Sequence, residues 1–115
     1  MEKNVKVSML LQIYGKLLTE KQYTLLDDYY NNDFSLSEIA ENLGITRQAV
    51  RDNLKKGECK LFEFEEKLEI MKTSMKQEKK IVEVLSELTK IQTKFSDEQI
   101  ANILENIKNE LNGLI

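Results

Sequence analysis

Proline is absent from the 115 residues, and glycine occurs only at Gly15, Gly44, Gly57 and Gly113. These two residue types are the main punctuation of secondary structure. A chain nearly without them, with 32% charged residues, suits long helices and not the frequent tight turns of a β protein. The same inventory limits chemistry. With no histidine, Ser-His-Asp and Cys-His catalysis, His-ligated zinc and imidazole acid–base chemistry are excluded. The single cysteine, Cys59, cannot form an internal disulfide or a Cys-rich zinc site, and fits a reducing compartment. No apolar run is long enough for a membrane span. The opening Met-Glu-Lys-Asn-Val-Lys lacks the apolar core of a secretion signal. The expectation is an all-α, cytoplasmic, non-enzymatic protein without cofactor or metal.

Apolar residues recur at three- and four-residue steps along most of the chain. Val7, Leu10, Leu11, Tyr14, Leu17 and Leu18 predict a first helix over about Val5–Leu17. Thr19 with Gln22 is a capping-box pattern that starts a second helix. Its apolar face is Tyr23, Leu26, Tyr29 and Tyr30, and Asn31-Asn32-Asp33 ends it. Ser35 with Glu38 starts a short helix, Leu36 to Leu43, closed by Gly44. Thr46 caps the next helix, which begins at Arg47. Its seam of Val50, Leu54, Leu61, Phe64, Leu68, Met71 and Met75 runs past Gly57 and takes heptad steps from Leu61. The polar run Lys72–Lys80 predicts the break. Beyond it, Ile81, Val84, Leu85, Leu88 and Ile91 predict a helix over about Glu78–Thr93. A third capping box, Ser96 with Gln99, starts a last helix carrying Ile100, Ile103, Leu104, Ile107 and Leu111. Two regions result: residues 1–57, and a helical arm over 58–115 that packs back or forms a homodimer through the Leu61–Met75 seam.

The segment from Ser35 to Leu54 carries the most information. Two helices joined by a three- to four-residue turn containing glycine form a helix-turn-helix. Ala40 lets the helices cross closely, and Gly44 accepts positive φ without a Cβ penalty. Ile39 and Leu43 are expected beneath the turn, Ile45 to plug it, and Val50 and Leu54 to anchor the second helix. At 100° per residue, with Val50 inward, Gln48, Arg51, Asp52 and Lys55 point away from the core and Arg47 lies on the flank. Thr46–Lys56 holds four cations and one anion, a balance of +3 in a chain of net charge −3. The N-terminal part of such a helix is what meets base edges in the major groove. Arg47, Gln48 and Arg51 are the candidates for bases, and Lys55 and Lys56 for phosphates. Ser35 and Thr46 are the candidates for bringing helix N-termini to the backbone.

The run Ser37-Glu-Ile-Ala-Glu-Asn-Leu-Gly-Ile-Thr-Arg-Gln-Ala-Val-Arg51 resembles region four of bacterial sigma factors, over about Leu17–Leu61. A wider set of residues is similar to the small YlxM-like helix-turn-helix proteins of Gram-positive bacteria and mycoplasmas. These are the first helix with Tyr14, then Leu18-Thr-Glu-Lys-Gln-Tyr23, Leu26-Asp-Asp-Tyr-Tyr30 and Ala49-Val-Arg-Asp-Asn-Leu-Lys-Lys56. That family is usually encoded beside components of the signal recognition particle pathway. The resemblance implies a nucleic-acid-binding regulator of that pathway, acting on DNA or RNA. Its alternative implication is an adaptor that contacts the particle's protein or RNA. Asn53 departs from the general motif, which places an apolar anchor there; Leu54 is expected to take that role.

Other features read as ordinary structure. Asp27-Asp28 and Glu65-Glu66 point about 100° apart on a helix and are expected on solvated faces. Cys59 is expected to be a half-buried thiol, and Tyr14, Tyr23, Tyr29 and Tyr30 to lie in the core.

Overall fold

A computed structural model describes the whole chain, Met1 to Ile115, as six α-helices and no strand. The helices are α1 (Lys3–Tyr14), α2 (Glu20–Tyr30), α3 (Leu36–Leu43), α4 (Arg47–Leu68), α5 (Ile70–Lys94) and α6 (Glu98–Asn112), with a 3-10 turn at Gly15–Leu17. No helix is long and apolar enough to cross a membrane. The chain divides into two compact units, Met1–Met71 and Lys72–Ile115. This boundary lies beyond the expected division at 57/58. The reason is that α4 packs into the first unit past Gly57: Leu61 is fully buried, and Phe62 and Phe64 border the core.

The N-termini follow from local chemistry. Thr19 Oγ1 accepts from Gln22 N (3.2 Å) while Gln22 Oε1 accepts from Thr19 N (3.3 Å). Ser35 and Glu38 exchange the same pair of bonds at 3.0 and 3.2 Å. The third start differs from expectation. Asp97, not Ser96, caps α6, its carboxylate accepting from Gln99 N (2.8 Å) and Ile100 N (3.3 Å). A carboxylate suits the positive helix end better than a hydroxyl. The first helix stops at Tyr14, and the tighter turn that follows leaves Leu17 60% exposed while burying Leu18.

The core of the first unit joins Val7, Leu10, Leu11 and Tyr14 of α1, Leu25 and Leu26 of α2, Ile39 and Ala40 of α3, and Val50, Leu54 and Leu61 of α4. On α2 the inward pair is Leu25–Leu26. Tyr23 is exposed, and Tyr29 and Tyr30 are half-buried, edge to face at 5.0 Å. Tyr30 donates to Glu58, which also pairs with Lys3 (3.3 Å), so one carboxylate ties α1, α2 and α4.

The break between α4 and α5 falls at Glu69, not within Lys72–Lys80, which is continuous helix. Glu69 adopts the left-handed conformation (φ 52°). Tyr14 Oη accepts from Ile70 N (3.1 Å) and donates to Glu65 Oε1 (2.7 Å), which accepts from Met71 N (2.9 Å). These two side chains receive amides that a continuous helix would have sent to its own carbonyls. Glu65, expected on a solvated face, is thus part of a structural joint. The heptad seam is split: Leu61 and Met71 are buried, whereas Leu68 and Met75 are 54% and 39% exposed.

Burial, then the hydrogen bond to Glu65, raises the Tyr14 phenol above its ordinary value of 10.0. Burial and Glu58 raise that of Tyr30 well above the same value. The folded chain therefore holds both protons more tightly than the unfolded chain. Their contribution to stability is full below pH about 10 and is lost as pH rises through the folded values. The melting temperature is expected to fall above that pH, with tyrosinate absorbance appearing later than in a denatured control. All four tyrosines titrating with the denatured control would refute this.

Candidate nucleic-acid interface

The helix-turn-helix is α3, a short turn and α4. Gly44 sits at φ 66°, ψ 32°, the left-handed position that a side chain would strain. Its amide and that of Ile45 (3.0 Å) return to Ala40 O, closing α3 with backbone bonds alone. Ala40 and Ile39 are buried at the crossing. Two expected plugs are not buried: Leu43 is 57% and Ile45 38% exposed. Because the backbone closes the turn and Ile39 covers the crossing, no second plug is required. Leu43 and Ile45 instead line a groove of about 650 Å³ with Thr19, Leu25 and Asn53. Asn53 is exposed and Leu54 buried, so Leu54 supplies the anchor.

Val50 (0% exposed) and Leu54 (4%) fix the rotation of α4. Arg47, Gln48, Arg51, Lys55 and Lys56 are consequently all exposed. The four cations form no ion pair with the chain. Gln48 Nε2 donates to Asp52 Oδ1 (3.0 Å), so the one anion among them is engaged along the helix. Ser35 and Thr46 are exposed N-caps, Thr46 Oγ1 accepting from Ala49 N at 3.0 Å.

The start of α4 differs electrostatically from those of α2, α3 and α6. Glu20, Glu38 and Glu98 stand in the first turns of α2, α3 and α6, where the helix dipole favours an anion. The first turn of α4 has no acid and opens with Arg47. A cation there costs about 0.3–1 kcal/mol. Arg47 therefore opposes the local stability of the helix it opens.

Two sets of cations lay outside the sequence reading. Lys60 continues the basic surface beyond Lys56; with Lys55, Lys56 and Cys59 it lines a shallow groove, its Nζ 3.4 Å from Gln22 Oε1. The step from Lys56 to Lys60 is one turn, which the sequence displayed. Cys59 is exposed, not half-buried, because it lies about 180° from Val50. Lys72, Lys76, Lys79 and Lys80 share a sector of about 100° on α5. Reading that run as a break hid the stripe.

The comparisons with known proteins agree with this architecture. Residues 1–107 match the family described as YlxM / p13-like helix-turn-helix proteins. A UPF0122 protein of Acetivibrio thermocellus is 37% identical over 115 residues, covering 100% of this chain and 98% of its own. Another, of Clostridium kluyveri, is 44% identical over 112 residues, 95% of each chain. One of Listeria monocytogenes is 41% identical over 108 residues, 94% of this chain and 96% of its own. By the match along the chain and these full-length relatives, the chain belongs to the YlxM / p13-like helix-turn-helix family.

Proposed function

We propose that the first unit binds nucleic acid through the N-terminal half of α4 and acts as a regulator in the signal recognition particle pathway. The observation that carries the binding reading is the exposed set Arg47, Arg51, Lys55 and Lys56, none of them ion-paired, on a helix whose rotation Val50 and Leu54 fix. In this reading Arg47, Gln48 and Arg51 reach bases, Lys55 and Lys56 hold phosphates, and Ser35 and Thr46 bring the N-termini of α3 and α4 to the backbone. The likeness of Ser37–Arg51 to sigma region four supports a DNA target. The genomic neighbourhood usual for the family supports the pathway.

Single-residue changes separate reading from holding. Arg51 is exposed, so Arg51→Ala should alter stability by no more than about 0.5 kcal/mol. Its planar fork suits guanine, and its loss should cost specific DNA binding about 1–3 kcal/mol, mostly as lost discrimination between sequences. Lys55→Ala should weaken all sequences alike and make the salt dependence shallower. Titrations at two salt concentrations, with thermal melts as the folding control, test both. Wild-type protein without saturable DNA or RNA binding at low salt would reject the reading in favour of an adaptor that contacts protein.

A further inference from the structure

The second unit cannot complete a core by itself. Its two helices form a hairpin across the short connection 95–97. Gln92 fixes the facing sides: its Nε2 donates to Ala101 O (3.5 Å) and Glu105 Oε2 (3.2 Å), and its Oε1 accepts from Lys108 Nζ (3.1 Å). Ile81, Leu85 and Leu88 are half-buried on that side of α5, but Leu104 alone is buried.

A second apolar face is left uncovered. Val84 and Ile91 lie about 80° from the line joining the helices, with Phe95 just past the end of α5, and Ile100, Ile103 and Ile107 lie about 90° from it on α6. The helices run antiparallel, so these rotations bring both stripes to the same side of the hairpin. The six side chains are 39–59% exposed. At roughly 200 Å² for a large apolar side chain, that is about 500 Å² of apolar surface. A standard homodimer interface of about 800 Å² per partner, about 65% apolar, needs that amount.

We infer that this face is an isologous dimer interface, and that two hairpins close into a four-helix bundle with a second copy of the chain. Four-helix bundles assemble from such antiparallel pairs, each helix giving one stripe to its own hairpin and one to the other. The rim supports self-association. A two-fold axis that sets Val84 opposite Phe95 of an antiparallel second copy also sets Glu87 opposite Lys94, twice, by the heptad geometry of α5. Glu87 now holds only the exposed Lys90 (3.1 Å), a pair of little worth in water. Charges are absent between the stripes and begin at this rim, as a self-complementary interface requires.

The inference does not depend on nucleic-acid binding. Sedimentation equilibrium of the full chain across the micromolar range is expected to give twice the 13.4 kDa of one chain. Ile103→Asp is expected to sediment as a single chain; Ile103 is 59% exposed, so the isolated chain loses little by the change. If circular dichroism shows that variant unfolded, Ile103→Ala serves instead, with the dissociation constant raised about tenfold or more. Met75→Asp, exposed but off this face, should remain dimeric. Wild-type protein at 13.4 kDa throughout overturns the inference, whatever else covers the face. So does a dimer that survives both Ile103 changes, or one that dissolves only with Met75→Asp.

Discussion

Gly57→Val is expected to destabilise the helix-turn-helix unit by about 2–3 kcal/mol. A Cβ at Gly57 would lie 2.8 Å from Leu26 Cδ1 and 3.3 Å from Leu26 Cγ. Leu26 is 0% accessible, with Val7, Leu10 and Val50 equally buried in the same core. It has nowhere to swing, so the added atoms must push α2 from α4. Helix propensity alone argues the other way. Replacing a mid-helix glycine should gain up to about 1 kcal/mol. The close approach is expected to win, lowering the melting temperature by roughly 10 °C or more. Gly57→Ala should lose less, since its propensity gain offsets most of the overpacking. In a Leu26→Val background the same change should be better tolerated, because the atoms it meets are reduced. Thermal melts of the single and double variants test this. A Gly57→Ala protein more stable than wild type with Leu26 in place would show that the two helices have room to spare.

Arg47→Glu combined with Arg51→Glu is expected to separate binding from stability in opposite directions. Charge-assisted bonds to a phosphate or base edge are worth about 1.5–3 kcal/mol each, so losing two weakens binding about a hundred- to ten-thousandfold. Both arginines are exposed and unpaired, so the core is untouched. At the first turn of α4 a glutamate replaces a cation that the dipole disfavours, for a gain of about 0.3–1 kcal/mol. The melting temperature should therefore hold or rise while affinity collapses. Binding titrations beside thermal melts measure both. A variant that binds as wild type removes α4 from the interface; one that melts much earlier shows that Arg47 or Arg51 has a structural partner.

The sequence by itself determined the all-α fold, two of the three expected capping boxes, the left-handed Gly44 and the outward set Arg47, Gln48, Arg51, Lys55 and Lys56. Each depends on interactions within about four residues or on the rotation of one helix, and both are written in spacing. The membership of Asp97 rather than Ser96 at the start of α6 was nearly legible, differing only in which of two adjacent acceptors lies nearer the open amides. Tertiary structure alone decided the rest. In the sequence Gly57 is only a residue that the apolar seam runs past, and the position of Leu26 alone shows it to be where α2 and α4 approach. The apolar spacing of Leu61, Leu68 and Met75 carried one continuous helix past Glu69 to a break in the lysine run. The actual break depends on Tyr14, 56 residues before Ile70, capping α5 together with Glu65. A cap supplied from another helix leaves no mark in the local pattern, because the amides it satisfies and the hydroxyl that satisfies them meet only after the chain has folded.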